Sequence, residues 1–224
     1  MAAMSGVEER KRAVAEASAE LVEPGMRVGL GTGSTVAPLL PALARRAVPR
    51  VRYVATSRET AANARALGLA VEEFDGAGAL DRLDLAIDGA DQVDERWWVV
   101  KGGGGAHTRE KIVAAAAERF VVIVTAEKLV TAVGPPVPLE LLAFGLAATL
   151  RALPDAHLRA GAPRSPDQGV LADFTGAFAD PAALSAQLAA VPGVVDHGLF
   201  PPSMISSVLV ADTHGVRELA QPRD

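Results

Sequence analysis

The 224-residue chain contains no cysteine, and that absence removes thiol nucleophiles, zinc thiolate sites and disulfides together. Its four histidines, His107, His157, His197 and His214, are scattered and form no HxH or HxxxH pair, so a histidine-built metal site is not expected. No long block of one charge sign occurs within the formal net charge of -5, which argues against a nucleic-acid partner. No apolar run of signal-peptide or membrane-spanning type is present either. Together these absences lead to the expectation of a cytoplasmic, soluble protein without membrane partners. Internal repeats and low-complexity linkers are missing as well.

What is present is an alternation. "VEERKRAVAEASAELV" carries apolar residues at helical spacing and stops at Pro24-Gly25. "RVGLG" reads as a buried strand, "VAPLLPALARRA" as a helix, "VRYVAT" as a strand and "RETAANARALG" as a helix ended by Gly68. "LAVEEF", "LDLAIDGAD" and "WWVVKGGGG" read as a third, fourth and fifth strand, "TREKIVAAAAERF" as a helix and "VVIVTA" as a sixth strand. Such alternation predicts an α/β fold: an open, mostly parallel, Rossmann-like sheet with helices on both faces. After a proline-rich break at "VGPPVPLEL", the order helix, strand, helix, strand predicts a smaller α+β domain of split βαβ, ferredoxin-like type. The expected division is a catalytic domain over residues 1–130, a small domain over 131–203, and a last strand within 204–224 returning to the first sheet.

Ligands of open parallel sheets bind at the carboxyl ends of strands. Three rich loops, "GTGST", "DGAD" and "KGGGGAHTRE", each follow an expected strand and are expected on one edge of the sheet. In the first, Gly31 and Gly33 let backbone approach a ligand, while Thr32, Ser34 and Thr35 add hydroxyls, which suits a phosphate monoester. The alternative is a plain strand-to-helix turn in which Ser34 or Thr35 caps the helix. The loop is neither a dinucleotide fingerprint nor a Walker loop, because the third glycine and the lysine are missing. In the second, Asp88 and Asp91 flank Gly89 and Ala90, and both carboxylates can face one pocket. Proton shuttling or hydrogen bonding to sugar hydroxyls would use such a pair; the alternatives are a solvated Asx turn and a magnesium site, the latter weakened by the lack of further carboxylates nearby. Asp94 and Glu95 are expected at the surface.

The third loop joins Lys101 to Glu110 through Gly102, Gly103, Gly104 and Gly105. Glu110 in the first turn of a helix is favoured by the macrodipole whatever else it does. His107 is expected to face solvent. Lys101 and Lys128 both end strands, where a lysine either snorkels or meets an anion. Jointly, the loops describe a site for a phosphorylated polyhydroxy compound.

The order "GLGTGST", "IDGAD", "KGGGGAHTREK", Lys128, "PVPLEL" and "PGVVDHGLF" resembles the type A ribose-5-phosphate isomerases over nearly the whole chain. This resemblance implies a metal-free, cofactor-free aldose–ketose isomerase of the pentose phosphate pathway, usually a homodimer or a dimer of dimers. It implies that Glu110 is the base moving a proton between C1 and C2, with Asp88 and Asp91 as acids that hold hydroxyls and assist ring opening. Thr32, Gly33, Ser34 and Thr35 match the substrate loop, Gly89 and Ala90 join Asp88 and Asp91 in binding substrate, and Lys101, Gly102, Gly103, Gly104 and Lys128 match further substrate contacts, with Lys101 also catalytic. Lys11 matches a lysine that helps hold phosphate.

The segment "TAEK", with Thr125 and Glu127, and the residues Gly105 and His107 depart from the family pattern. "RSPDQGVLADFTGAF" is shorter than the family hairpin and is expected to lie far from the chemistry. A sugar-phosphate sensor is the reading from another class, but no basic helix-turn-helix precedes the sheet and a sensor needs no base at Glu110. A glucosamine-6-phosphate deaminase would use an Asp-His pair, and a CoA-transferase a glutamate nucleophile in another loop context.

Overall fold

The computed structural model describes residues 6–76 and 78–221. Along the chain the elements are α1 (Val7–Ala19), β1 (Arg27–Leu30), α2 (Leu39–Arg46), β2 (Arg52–Ala55), α3 (Arg58–Ala66), β3 (Leu85–Gly89), β4 (Gln92–Asp94), β5 (Val99–Val100), α4 (His107–Ala115) and β6 (Phe120–Thr125). There follow β7 (Leu129–Val130), β8 (Val137–Leu141), α5 (Leu146–Ala152), β9 (Ala156–Leu158), β10 (Val170–Phe174), α6 (Pro181–Ala189), β11 (Val194–His197), β12 (Leu199–Phe200), β13 (Ser207–Ala211) and β14 (Val216–Ala220). The chain divides into two compact units. Unit 1 holds the residues up to Gly89, Arg109–Lys128 and the stretch from Ser203 onward; unit 2 holds Ala90–Thr108 and Leu129–Pro202.

Unit 1 is built on a six-stranded sheet of order β14-β13-β6-β3-β1-β2. All its neighbours pair in parallel except the β13–β14 edge. Every residue of β6 is buried, as a central parallel strand covered on both faces requires. α1 presents Val14, Ala15, Ser18 and Ala19 as its buried stripe, and α3 starts on Ser57, whose Oγ accepts the Thr60 N–H at 3.0 Å. Ser34 and Thr35 do not cap α2. That helix begins at Leu39 after Pro38, and turns occupy the residues between.

Two expected strands change place. "LAVEEF" contributes only an isolated bridge from Val71 to Tyr53, because the chain makes a single parallel contact there and leaves. "WWVV" is not in the central sheet: β5 pairs antiparallel with β4 and β12 in a separate four-stranded sheet of unit 2, order β12-β5-β4-β7. Two residues of strand are too few for a periodicity that would tell one sheet from another. The rest of unit 2 runs β8-α5-β9-β10-α6-β11 with antiparallel sheet order β11-β8-β10-β9, a ferredoxin-like arrangement. β8 hides behind its prolines in the sequence. Pro138 is tolerated because its C=O accepts from Gly198, at the point where the β11 ladder has ended.

The outer ends of β1 and β3 are tied by an ion pair. Asp84 accepts from Arg27 Nη2 at 2.6 Å, Nε at 3.1 Å and the backbone N–H at 2.7 Å. These bonds from Arg27 hold the Asp84 carboxyl below its ordinary range. A depressed folded value means stability that is present above the unfolded carboxylate value and is lost as pH falls through the folded one. Asp84→Asn therefore lowers the thermal midpoint at pH 7, and its gap to the parent closes below about pH 4. Melts across that range check this, and a gap independent of pH would contradict it.

Candidate active site

In unit 1, the loops after β1 and β3 leave the same edge of the sheet and touch. Asp88, buried at the end of β3, receives the Gly89 N–H at 2.7 Å and the Thr32 N–H at 3.2 Å on Oδ1. Gly31 is what permits this: a Cβ there would overlap the Asp88 carboxylate, and its own N–H donates to the Ile87 carbonyl at 2.9 Å. Thr35 lies beside Gly89, where a Cβ would come within 3.6 Å of it. Gly33 and Ser34 are exposed at the tip of the loop.

The Thr32 hydroxyl bonds to those of Thr56 at 2.8 Å and Thr60 at 3.0 Å, two buried threonines beyond the end of β2. Sequence reasoning passed over Thr56 and Thr60. Their only signal is the hydroxyl-rich run "TSRET" directly after a strand.

Glu110 lies in the first turn of α4 and is 5% exposed. The helix lies so close to β1 that a Cβ on Gly29 would overlap Val113. Lys128, half-buried, closes the 3-10 turn Ala126–Lys128 that follows β6. The departure at Glu127 acquires a partner in Arg10, a buried residue of α1 whose Nη2 donates to the Glu127 carboxylate. The backbone N–H of Glu127 and the Thr125 hydroxyl, with Arg10, hold that carboxyl below its ordinary value. Lys11, on the same helix, donates to Glu8 at 2.7 Å.

In unit 2, Asp91 stands against the glycine run. The Gly103 N–H donates to Asp91 Oδ2 at 2.8 Å, and the Asp91 N–H donates to the Val100 carbonyl at 2.8 Å. Ala90 precedes it at the start of the unit, and Gly104 has open space around its Cα. Lys101 is 3% exposed, with its ammonium 5.7 Å from the centre of the Phe200 ring, a cation–π contact. Gly102, at φ +104°, leaves room for His107: a Cβ would sit 2.6 Å from Nδ1.

His107 is thus fully buried at the start of α4, not solvent-facing. Asp94 is buried too, because the turn it heads aims the Arg96 and Trp98 N–H groups at Oδ1 and the Val133 N–H at Oδ2. Of the three rich loops, then, two share the central-sheet edge while the third leaves a strand of the other sheet. "RSPDQGVLADFTGAF" is not remote from the glycine run either, since Leu171 meets Gly105. Among the described residues no three His, Asp or Glu side chains gather as a metal site, and no helix is long and apolar enough to cross a membrane.

A Rossmann-like parallel sheet with carboxylate, hydroxyl and amide groups at its strand ends, joined to a ferredoxin-like unit, defines a narrow class of α/β proteins. The sequence model of ribose 5-phosphate isomerase A (phosphoriboisomerase A) matches residues 52–215. A ribose-5-phosphate isomerase A of Roseiflexus sp. (strain RS-1) is 46% identical, over 95% of this chain and 96% of its own. The solved ribose 5-phosphate isomerase A of Methanocaldococcus jannaschii superposes with TM-score 0.89 at 32% identity, covering 96% of this chain and all of that one. A D-ribose-5-phosphate isomerase in complex with phospho-erythronic acid does so with TM-score 0.89 at 30% identity, over 97% of this chain and all of that one. The chain belongs to the ribose 5-phosphate isomerase A family.

Proposed function

We propose that the protein interconverts D-ribose 5-phosphate and D-ribulose 5-phosphate through a cis-enediol(ate), as a step of the non-oxidative pentose phosphate pathway. The observation that carries this is Glu110, a buried carboxylate on the helix that follows the Lys101–Gly105 loop. Proton abstraction α to a carbonyl needs a positioned base of this kind, together with cations or N–H donors for the developing oxyanion.

In the open-chain aldose, Glu110 takes the proton from C2 and returns it to C1. Asp88, held by two backbone N–H groups, and Asp91, held by one, accept from sugar hydroxyls, assist ring opening and move protons between the oxygens. The Lys101 ammonium and the N–H groups of the glycine loop stabilise the enediolate. Residues Thr32–Thr35, with Lys128 and Lys11, hold the phosphate. The protein works in the cytoplasm as a homodimer or dimer of dimers, which light scattering reads as two or four times the chain mass.

Purified protein mixed with ribose 5-phosphate and a chelator is expected to form ketose. No turnover would overturn the isomerase reading, and turnover lost on chelation would overturn its metal-free form. Phospho-erythronic acid, the ligand named for the solved relative, offers a planar carboxylate on a phosphorylated polyol. Such a group presents two oxygens much as an enediolate does, so we expect it to inhibit competitively and more tightly than substrate binds.

A further inference from the structure

The glycine run has little of its own to fix it. Four consecutive glycines carry no side chains and the widest backbone freedom of any residue, so contacts from other residues are needed to fix them. Arg159, the residue after β9, supplies such contacts. Nη1 donates to the carbonyls of Gly102 at 3.0 Å and Gly103 at 3.1 Å. The other edge of the guanidinium is locked onto Asp173 of β10, with Nε to Oδ2 at 2.8 Å and Nη2 to Oδ1 at 2.6 Å.

Two more contacts come from the same place. Leu171, two residues before Asp173 and so on the same face of β10, fills the space where a Cβ on Gly105 would lie. Gly105 itself, at φ +77°, turns the chain so that its N–H donates to the Gly102 carbonyl at 2.9 Å. The peptide units that Arg159 grips are those whose Gly103 N–H holds Asp91 Oδ2.

We propose that Arg159, oriented by Asp173, is a positioning residue for the reaction: it fixes the glycine loop and, through the Gly103 N–H, the Asp91 carboxylate. The proposal rests on the role given to Asp91 above. A planar guanidinium fork meets a carboxylate along its Nε–Nη2 edge while Nη1 reaches two successive carbonyls, and a lysine ammonium cannot do both. Without the fork the loop samples other conformations, and only the fraction with Gly103 aimed at Asp91 remains competent.

The test is a double-mutant cycle on the full chain with Arg159→Met and Asp91→Asn, alongside Arg159→Lys and Asp173→Asn. Arg159→Met is expected to lower kcat/KM for ribose 5-phosphate by about 10- to 100-fold, with little recovery in Arg159→Lys. Asp91→Asn should then cost clearly less in the Arg159→Met background than in the parent, because both remove one unit. Amide exchange should quicken over residues 102–105 and stay unchanged in β6.

Additive losses, a normal kcat/KM in folded Arg159→Met, or unchanged loop exchange would overturn the proposal. If Arg159→Met does not fold, Asp173→Asn keeps the fork, weakens its seat and should show the same pattern in smaller degree. A parent protein without isomerase activity would sink the functional reading instead, while the exchange measurement still decides whether Arg159 holds the loop.

Discussion

Glu110→Gln lowers kcat for ribose 5-phosphate by about 10²- to 10⁴-fold while KM stays within a few-fold. Glutamine has the shape of glutamate and fills the same buried position in α4, so packing against the sheet is kept. What it lacks is a basic oxygen. In the proposed assignment other residues bind the phosphate and hydroxyls, so the loss falls on the chemical step rather than on the ground state. Solvent deuterium uptake at C2 gives a second readout, since proton abstraction should stop along with turnover. A Glu110→Gln variant that binds substrate and still turns it over at the parent rate would remove Glu110 as the base.

Gly31→Ala tests the role proposed for Asp88. The position its methyl group would occupy is already filled by Asp88, which can move only by giving up N–H bonds from Thr32 and Gly89. A displacement of this size costs about 10²-fold in kcat/KM, and crowding of a packed site costs about 1–3 kcal/mol of stability. Gly25→Ala makes the comparison. Gly25 has φ +83° with open space around it, in a turn ahead of β1, so alanine there strains the backbone without touching the site. Gly25→Ala should lose stability and keep kcat/KM, whereas Gly31→Ala should lose both. Equal kcat/KM in the two variants would show that the close approach of Gly31 to Asp88 does not matter to turnover.

The parallel sheet was legible because its strands are long enough and apolar enough to alternate visibly with helices. β6, six buried residues entered after Glu118 and Arg119, is the clearest case. The misplaced pieces are those where pairing is decided by distant chain. β5 is two residues long, and β8 reads in the sequence only as a proline-rich break, although the missing N–H of its Pro138 faces the point where the β11 ladder ends. At the site, the glycines read in the sequence as room for a ligand, whereas Gly31 and Gly103 stand where the protein's own Asp88 and Asp91 carboxylates come close to backbone. The burial of His107 and Asp94 was not readable. One is enclosed by a turn at Gly102, and the other is gathered in by three N–H groups from two segments. Arg159 and Asp173 were invisible for the same reason, because nothing local ties a residue after β9 to carbonyls at Gly102 and Gly103.

The order β14-β13-β6-β3-β1-β2 also bears on how the chain emerges during synthesis. β6 lies between β3 and β13, yet more than seventy residues separate the end of β6 at Thr125 from the start of β13 at Ser207. Until that last strand leaves the ribosome, β6, whose six residues are all buried in the folded protein, stands as a bare sheet edge. Such an edge invites pairing with another nascent chain. Truncation before Ser207 should therefore turn the protein into a substrate for holding chaperones, and completion of the final hairpin is the step that releases it.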